Sequence, residues 1–464
     1  MSKTNKVIII GAGVAGMSSA MHLIESGYAV DIYEISNKVG GRCFSFIDKK
    51  FPDIILDNGQ HVFAGAYKNF LELLDWLGTE KFLDYQKALN IKLQKKSGEI
   101  YSLDCSKLPG RLGLFSAIVK LSPLSFKEKF YLLSIIFSSI NVLSSEKKDE
   151  SALNFLRKKK QSENTIIHLW EPMILATLNA SIDKASKKLF LTVLRILLLG
   201  GKSNSKLVFS DLAFSQLFSN FSSILTKNNS NVFLNSPIKK ILLENESCLG
   251  VELYNGDLKT ADFVISTLPP MALDKVINYS ISTNNHKNKN IRICNYSENF
   301  NYSTIISIYL LFDKVVTKEK FLGSIGTNIQ WITTKNMKII SSNSQKQLLS
   351  LTISAADEIN KIKTADLLEI ILVELAQILP ETKKTAPIAY KIIRDKQATV
   401  LINSQNSLLR PNSFTNINNF FLAGDWTNTG LPATIESAAL SGKIAAESIK
   451  NITQNKRIKN KIIK

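Results

Sequence analysis

Cysteine is scarce in this sequence, with four residues among 464. They are far apart and form no CxxC pair; the four are Cys43, Cys105, Cys248 and Cys294. This spacing argues against a disulfide framework and against a zinc site built on cysteine pairs. We therefore expect a protein of a reducing cytoplasm.

Histidine is equally scarce, at four residues. His22 lies in a predicted first helix, while His168 and His286 have no partner at ligand spacing and no carboxylate cluster nearby. We therefore predict no metal site.

The fourth histidine, His61, stands four residues after Asp57 in DNGQHVFAGAY. From that segment alone, an acid–base pair, a metal site and a wall around another ligand are all open.

Apolar runs long enough to cross a membrane are also missing. The segments YLLSIIFSSINVL and LFLTVLRILLLGG are too short, too rich in serine or interrupted by Arg195 to form a spanning helix of ~20 residues. The N-terminal run VIIIGAGVAG has glycines at fixed spacing and a helical pattern after it, which indicates folded structure rather than a signal peptide. We expect a protein that is soluble or lies on a membrane.

Acidic residues are outnumbered, with 39 Asp and Glu against 58 Lys and Arg and a formal net charge of +19. Such an excess favours acidic ligands, nucleic acid or an anionic membrane surface. The basic residues are dispersed except in the tail NITQNKRIKNKIIK, and the absence of a basic–aromatic platform argues against nucleic acid. A solvated basic surface and a peripheral membrane contact both stay open.

The N-terminus carries a strand, a glycine turn, a helix and a second strand. The β-branched run at residues 7–10 predicts a central strand buried on both faces. Gly11 then permits a tight turn, Gly13 lets the backbone approach a pyrophosphate, and Gly16 lets helix and strand pack closely. Glu34 ends the second strand, where its carboxylate can accept hydrogen bonds from ribose hydroxyls. The unit predicts dinucleotide binding at a helix N-terminus.

Two later segments complete the predicted fold. Residues 230–270 indicate short strands separated by turns, and FFLAGDWTNTGLPATIESAALSG indicates a buried strand, a loop and a helix. We predict an α/β fold with a Rossmann-like domain whose parallel sheet is discontinuous in sequence, over 1–105, 214–270 and 402–464. Residues 106–213 and 271–401 are predicted to form an inserted α+β substrate-binding domain.

Two further motifs lie within the predicted Rossmann-like domain. Gly40 and Gly41 follow the acidic strand and can expose backbone amides, and Arg42 can neutralise a phosphate. Near the C-terminus, Asp425 lies in a loop before a helix that we expect to begin near Pro432. The N-terminus of that helix would stabilise negative charge on a ligand. An alanine-rich packing helix is the alternative for that last segment.

A family resemblance joins these motifs. The segments VIIIGAGVAGMSSAMHL, VGGRCFSF, DNGQH and AGDWTNTGLPATIESAALSG occur in this order over nearly the whole chain, with Glu34 between the first two. Together they resemble the FAD-dependent amine oxidase and phytoene desaturase superfamily. More narrowly, DNGQHVFAGAY, LWEPMILATLNASIDKAS and GDWTNTGLPATIESAALSG resemble the hydroxysqualene dehydroxylases, flavoenzymes of bacterial squalene and hopanoid synthesis.

The resemblance implies an FAD site, residue by residue. The ADP half would be held by Gly11, Gly13, Gly16 and Glu34, with Ile238 near the adenine. The implied contacts of the pyrophosphate, ribityl chain and flavin ring are Gly40, Gly41, Arg42, Gly59, Gln60, Gly424, Asp425, Thr434 and Ile435. Some amine oxidases attach their flavin to a cysteine near the C-terminus. No cysteine follows Cys294 in this sequence, so the FAD is expected to be noncovalent.

The resemblance also implies an oxidoreductase acting on a long C30 isoprenoid, with an electron donor that returns the flavin to its reduced form. Reduced FAD would replace the allylic hydroxyl of hydroxysqualene with hydrogen. This chemistry needs an apolar tunnel, an acid and exclusion of water. The segments LGLFSAIVKLSPLSF, KFYLLSIIFSSINVL and KLFLTVLRILLLGG can form the tunnel or be ordinary core helices, and the surface of residues 120–143 can contact a bilayer.

His61 is the first candidate for the acid, because the ordinary pKa of histidine lies near physiological pH. Tyr67, Glu171 and Glu436 are further candidates, and a core histidine or a structural neighbour of the flavin are the alternatives for His61. The resemblance makes Asp57 a structural hydrogen-bond partner. Carotenoid desaturation or isomerisation, amine oxidation, and membrane-surface binding with a structural FAD remain as alternative functions.

Overall fold

The structure is a computed structural model that describes residues 4–106, 110–140, 148–199, 201, 203–282, 295–338 and 345–462. Cys294 and His286 lie outside the described residues. The described strands are, in chain order, β1 Lys6–Ile10, β2 Ala29–Tyr33, β3 Ser45–Asp48, β4 Phe51–Asp57, β5 Phe63–Ala64, β6 Leu83–Tyr85, β7 Asn90–Lys95, β8 Ile100–Asp104, β9 Leu207–Ser210, β10 Asn231–Phe233, β11 Ile238–Glu244, β12 Ser247–Leu253, β13 Leu258–Thr260, β14 Phe263–Ser266, β15 Tyr302–Phe312, β16 Phe321–Ile325, β17 Trp331–Lys338, β18 Gln345–Ile353, β19 Ala389–Val400 and β20 Phe420–Leu422.

The described α-helices are α1 Val14–Ile24, α2 Lys68–Trp76, α3 Gly110–Val119, α4 Phe126–Ile140, α5 Ala152–Lys158, α6 Glu163–Thr165, α7 Glu171–Leu178, α8 Lys187–Leu199, α9 Phe214–Leu217, α10 Phe221–Lys227, α11 Pro270–Ser282, α12 Tyr296–Asn299, α13 Thr364–Ile378 and α14 Ile435–Ile462. A π-helical segment, Ile166–Trp170, joins α6 to α7, and short 3₁₀ turns span Glu80–Phe82, Ile359–Lys361 and Pro380–Lys384. In the part of the chain that the structure describes, no helix combines the length and apolar composition needed to cross a membrane.

A five-stranded sheet forms the centre of the first layer. Its strands are all parallel, in the order β10-β2-β1-β14-β20. β1 is buried on both faces, because its alternate side chains Val7 and Ile8 enter two different hydrophobic clusters. This arrangement, with helices on the sheet and a second sheet beyond it, confirms the predicted α/β class with a Rossmann-like domain.

Helices α1 and α14 pack closely because small residues line their contact. Ser18 Oγ donates a hydrogen bond of 2.7 Å to the carbonyl of Ala439. A β-carbon on Gly442 would lie only 2.3 Å from the carbonyl oxygen of Ala15. Backbone therefore meets backbone, and the last helix lies directly on the first. This contact brings the two ends of the chain together at one site.

A seven-stranded sheet forms the second layer, in the order β19-β15-β18-β17-β16-β7-β8. Its pairs are antiparallel except β16 with β7, which are parallel. The two-domain division stays a prediction, with one difference in strand pairing. β7 and β8 fall within 1–105, the range assigned to the cofactor domain, but their hydrogen bonds join them to the sheet of β15 and β19.

Helices α3 to α8 cover one end of this second sheet. Asp149 fastens them to the C-terminal segment, since its carboxylate accepts hydrogen bonds from Ser407 Oγ at 2.7 Å, from the Lys188 amide at 3.2 Å and from Ser186 Oγ. Three smaller sheets complete the fold: β3-β4, β5-β9-β6 and β11-β12-β13. The helices and the second sheet thereby enclose a space beside the parallel sheet.

Candidate active site

A cavity of about 1610 Å³ runs between the two layers. Its volume exceeds the ~300–1,000 Å³ of an ordinary small-molecule pocket, so it can hold a dinucleotide and a second long molecule together. Thirteen of the fourteen residues predicted to contact the cofactor line it; they are Gly11, Gly13, Glu34, Gly40, Gly41, Arg42, Gly59, Gln60, Ile238, Gly424, Asp425, Thr434 and Ile435.

The fourteenth residue, Gly16, lies beneath the lining and acts on the turn itself. A β-carbon there would come within 2.1 Å of the Gly11 carbonyl oxygen. Gly11 has a φ of +98°, a conformation that other residues rarely adopt. These glycines let α1 start directly under the ligand site, with its unpaired amides facing the cavity.

A second pair of glycines lies against the first turn. Gly40 forms a bridge with Gly13, and a β-carbon on Gly41 would lie 3.1 Å from the Gly13 α-carbon. Gly40 and Gly41 have φ values of +111° and +59°. Because Gly13, Gly40 and Gly41 all lack side chains, this part of the cavity wall is bare backbone. A pyrophosphate can approach such a wall closely.

Glu34 ends β2 at the edge of this wall. Its carboxylate accepts hydrogen bonds from the amides of Ala12 at 2.7 Å and Ser36 at 2.9 Å. The two bonds fix the side chain while each carboxylate oxygen keeps a free lone pair. Glu34 is therefore held in position to accept hydrogen bonds from a ribose.

An ion pair joins the N-terminal and C-terminal motifs. Arg42 Nη2 donates to Asp425 Oδ1 at 2.6 Å, and Arg42 Nη1 donates to the Ala398 carbonyl at 3.0 Å. Asp425 is buried and follows Gly424, whose φ is +136°. The predicted contact of Arg42 with a phosphate stays a prediction. In the structure its guanidinium pairs with Asp425 while the side chain lines the cavity.

The helix that follows begins slightly later than expected. α14 starts at Ile435, three residues after Pro432, because residues 424–434 form an irregular loop. Thr434 and Ile435 still line the cavity at the start of this helix. The positive end of the helix therefore faces the ligand site, as the sequence predicted.

Arg410 is a residue that sequence reasoning missed. It is buried and donates three hydrogen bonds to carbonyls of the 424–434 loop: to Asp425 at 2.8 Å, Trp426 at 3.2 Å and Leu431 at 2.6 Å. Burial lowers the pKa of Arg410 to about 10, so the guanidinium stays charged at neutral pH. Arg410 therefore fixes the shape of this loop from its buried side. An isolated Arg-Pro pair in a sequence does not indicate such a role.

Thr267 was also missed, although its place could have been inferred. Its Oγ1 donates to the carbonyls of Ile10 at 2.8 Å and Gly11 at 3.1 Å, and it lines the cavity. It follows β14, which pairs in parallel with β1, and the carboxyl ends of parallel strands share one edge of the sheet.

The segment DNGQHVFAGAY separates into structural and cavity-facing residues. Asp57 Oδ1 accepts hydrogen bonds from Ser45 Oγ at 2.7 Å and from the Phe214 amide at 3.0 Å, and Asp57 does not line the cavity. Burial raises the pKa of this carboxyl. Gly59, Gln60 and His61 do line the cavity. Asp57 thus supports the segment, and the three later residues face the cavity.

The tautomer of His61 follows from one contact. Its Nδ1 lies 2.6 Å from the Gly59 carbonyl oxygen, which can only accept, so Nδ1 carries a proton. The ring packs edge-on against Phe214 at 4.8 Å. Burial lowers the pKa of His61, so in the neutral form its Nε2 is a hydrogen-bond acceptor. His61 becomes a proton donor only when Nε2 is protonated as well.

The other acid candidates differ in whether they line the cavity. Tyr67 lines the cavity, and burial raises the pKa of its phenol to about 12, so it stays protonated. Glu171 lies outside the cavity wall. Glu436 also lies outside it, and its carboxylate accepts hydrogen bonds from the amides of Asn69 and Phe70 at the start of α2. Of the four candidates, only His61 and Tyr67 reach the site.

The remaining histidines of the described ranges are held by local contacts. His22 packs edge-on against Trp76, and burial lowers its pKa to about 4. His168 Nδ1 donates to the Asn164 carbonyl at 2.9 Å. Among the described residues, no cluster of three or more His, Cys, Asp or Glu side chains is arranged to hold a metal ion.

Comparison with known proteins agrees with this geometry. The model of the flavin-containing amine oxidoreductase family matches residues 14–450. The chain therefore belongs to this family and is an FAD-dependent oxidoreductase. The bare glycine wall and the N-terminus of α1 fit the pyrophosphate of FAD, the fixed Glu34 carboxylate fits its ribose, and the N-terminus of α14 fits its flavin ring.

Individual relatives cover nearly the whole chain. A hydroxysqualene dehydroxylase of Sinorhizobium fredii is 26% identical over 95% of this chain and 97% of its own length. A 15-cis-phytoene desaturase of Synechococcus elongatus is 25% identical over 96% of this chain and 95% of its own length. An oxidoreductase structure from Methanosarcina mazei superposes with a TM-score of 0.70 at 17% identity, covering 95% of this chain and all of that one.

Proposed function

We propose that this protein reduces the allylic alcohol hydroxysqualene to squalene, with reduced FAD as hydride donor. The observation that carries the proposal is the continuity of the cavity. The wall with the FAD motifs leads directly into walls of apolar side chains from two strands and three helices, among them Leu93, Leu103, Ile118, Leu132, Ile136 and Leu194. Such a space suits one dinucleotide and one long hydrocarbon chain. The hydroxysqualene dehydroxylase relative supports this choice of substrate.

The proposed reaction breaks the allylic C–O bond, and the electron pair of that bond leaves with the oxygen. The oxygen takes up a proton and departs as water. FAD, when bound in its reduced form, supplies the hydride that makes the new C–H bond and is oxidised by two electrons. The protein must therefore deliver one proton to the oxygen and keep bulk water away from the allylic cation.

His61 is the residue to which we assign the proton transfer. It lies on the cavity wall beside Gly59 and Gln60, and its Nδ1 bond to the Gly59 carbonyl holds the ring in one orientation. That bond and the nearby Asp57 both favour the charged ring, against the effect of burial. The apolar faces of Phe63 and Phe214 around it help exclude water.

A single-turnover experiment tests the function. The flavin of the purified protein is reduced anaerobically, hydroxysqualene is added, and flavin reoxidation is followed together with squalene formation. We expect one squalene per flavin reoxidised. Turnover of phytoene or an amine without any squalene would overturn the proposal, and a purified protein without flavin absorbance would overturn the cofactor assignment as well.

Desaturation of a carotenoid precursor is the second candidate. The phytoene desaturase relative and the apolar walls favour it. That reaction removes two hydrogens from a hydrocarbon and requires oxidised FAD, so the flavin changes in the opposite direction. Incubating the oxidised protein with phytoene separates the two candidates, because only a desaturase would then bleach the flavin.

Peripheral contact with the inner face of the cell membrane belongs to the same proposal. On α4, Phe126 and Phe130 are 87% and 71% exposed, with Lys127 between them. Leu132 and Ile136 on the same helix line the cavity. An apolar surface with basic neighbours suits the interface of an anionic bilayer, from which a C30 chain would enter.

Flotation with phosphatidylglycerol vesicles tests this contact. The double substitution Phe126→Ser and Phe130→Ser should release the protein from the vesicles. Ile47→Ser provides a matched control, because Ile47 is 69% exposed on β3, in another part of the surface. Equal flotation of the double variant and the wild type would refute the contact at α4.

We also infer that FAD is held noncovalently, since no cysteine of the sequence follows Cys294. Denaturation should therefore release all of the flavin into the supernatant. Flavin that stays with the precipitated chain would refute this.

A further inference from the structure

Polar side chains lie in register across the floor of the cavity. Ser307 on β15 stands opposite Thr352 on β18, and Thr352 stands opposite Trp331 on β17. All three line the cavity, so they share the same face of the sheet. Phe321 stacks on the indole of Trp331 at 5.1 Å, and Thr333 opposite Phe321 also lines the floor. The hydroxyl groups of the floor therefore lie beside large apolar rings.

Ser307 is the most enclosed of these residues. Its exposed fraction is 2%, and among the described residues its hydroxyl has no hydrogen-bond partner. The Thr352 hydroxyl likewise finds no partner within the ranges that the structure describes. Buried hydroxyls are usually paired, since leaving one unpaired destabilises the protein. The two hydroxyls face one cavity without a protein partner, so both are available to a polar ligand atom between them.

The position of Ser307 relates this pair to the flavin wall. Its Oγ would be 3.0 Å from a β-carbon placed on Gly59. Gly59 also accepts the hydrogen bond from His61 Nδ1. The serine hydroxyl and the proton-transfer candidate thus contact the same glycine, at the junction between the cofactor wall and the substrate wall.

A neighbouring hydroxyl on the cavity floor differs from these two. Thr333 lies two residues after Trp331 and also lines the cavity, but its Oγ1 donates to the Ser350 carbonyl at 3.4 Å. That hydroxyl is satisfied within the sheet. Ser307 and Thr352 differ from it because their hydroxyls are available to a ligand.

We propose that Ser307 and Thr352 together hold the allylic hydroxyl of the substrate; this rests on the proposed function. Facing residues of antiparallel strands have β-carbons roughly 4.5–5.5 Å apart, so one oxygen can lie about 2.7–2.8 Å from both hydroxyls. Ser and Thr hydroxyls do not release a proton at neutral pH, so these are positioning residues. They fix the C–O bond against the flavin wall, and they select an alcohol over a pure hydrocarbon.

Equilibrium binding to the oxidised holoprotein tests this assignment without turnover. Hydroxysqualene and squalene are each titrated while the flavin absorbance is recorded. We expect Ser307→Ala and Thr352→Val each to weaken hydroxysqualene binding about 3–10-fold, the worth of one hydrogen bond, and to leave squalene binding within about twofold. Thr352→Ser keeps the hydroxyl and should restore the preference for the alcohol.

Ser303→Ala is the matched control. Ser303 is also buried on β15 with an unpaired hydroxyl, but it does not line the cavity. Its substitution should change neither affinity. If Ser307→Ala does not retain flavin, the pair Thr352→Val and Thr352→Ser decides the question on its own.

The outcomes separate this inference from the proposed function. If the wild type makes no squalene in single turnover, the function fails first. If the wild type makes squalene but the variants bind the alcohol as tightly as it does, the assignment of Ser307 and Thr352 is refuted. It is also refuted if the variants lose affinity for alcohol and hydrocarbon alike, since that result indicates a packing defect.

Discussion

The two ends of the cavity are built by different means. At the cofactor end the wall is backbone: Gly13 and Gly41 touch each other, and Arg42 and Asp425 join two distant segments by an ion pair. At the far end the wall is made by apolar side chains of helices and strands, such as Leu132 on α4. The first end should not tolerate one added carbon atom, whereas the second should tolerate exchange among residues of similar volume.

The largest effect is expected from Gly16→Val, at the cofactor end. The first β-carbon would lie 2.1 Å from the Gly11 carbonyl, so the turn and α1 cannot keep their contact. We expect purified protein with no bound flavin, measured by its absorbance. Gly27→Ala is the control, because nothing lies within 4 Å of its β-carbon position. Its φ of +78° should cost about 1–2 kcal/mol of stability and leave flavin bound. Full flavin in Gly16→Val would contradict the close-packed turn.

His61→Ala tests the boundary between the two ends. Removing a general acid should slow squalene formation by about 10²–10⁴-fold while flavin content stays unchanged. His168→Ala is matched to it, because His168 also donates from Nδ1 to a backbone carbonyl but does not line the cavity. It should keep the wild-type rate. Full activity of His61→Ala would remove His61 from the mechanism.

The pH dependence of the wild type sharpens this test. Burial lowers the pKa of His61 below its ordinary value of 6.5, so the acid form accumulates only as the pH falls through a value below that. The single-turnover rate should therefore rise from pH 8 toward pH 5 and level off below the shifted pKa. In His61→Ala that rise should disappear. A wild-type rate that falls with decreasing pH would show that the neutral ring is the active form.

Arg410→Leu should destabilise the 424–434 loop, which forms part of the cofactor end of the cavity. It removes hydrogen bonds from a charged group to three loop carbonyls, each worth about 1.5–3 kcal/mol. We expect a loss of about 4–5 kcal/mol in the free energy of unfolding, near the lower limit of that sum, and a raised dissociation constant for FAD. Arg157→Leu, at an exposed ion pair with Glu163, should stay within about 0.5 kcal/mol. Equal stability of both variants would show that the 424–434 loop holds its shape without Arg410.

The contrast between the ends also explains what could be predicted from the sequence. Glycine spacing, an acidic residue at a strand end and a helix start are local patterns. They were sufficient to predict the parallel sheet and dinucleotide binding, and the resemblance to the flavoenzyme superfamily added FAD as the cofactor. Thr267 was missed because its contacts are with Ile10 and Gly11, far away in the chain. Arg410 was missed because no local pattern indicates that a side chain is buried against the following loop. The pairing of β7 with β16, more than 200 residues away, could not be inferred from local patterns either, and the division into two domains stays a prediction.

The substrate end carries little local information. Apolar helices that line a cavity and apolar helices that fill a core have the same periodicity, so the sequence left both open. Ser307 and Thr352 lie on different strands with no shared motif, and only the register of β15 with β18 brings them together. Asp57 and His61 show the intermediate case. They are neighbours in one motif, yet the fold turns the first toward Phe214 and the second toward the cavity.

The smallest effect is expected at the far end, from Ile136→Ala on α4. This substitution shortens one side chain of the apolar wall, and each buried methylene is worth about 0.8 kcal/mol. Hydroxysqualene and squalene should both bind several-fold more weakly, while flavin content is unchanged. Leu133→Ala on the same helix does not touch the cavity and should leave both affinities alone. We expect Ile136→Ala to weaken the binding of hydroxysqualene and squalene equally, whereas Thr352→Val should weaken the binding of hydroxysqualene alone. This pair of results would show that the two ends of the cavity recognise different parts of one molecule. Loss of flavin from Ile136→Ala would instead show that the ends are not independent.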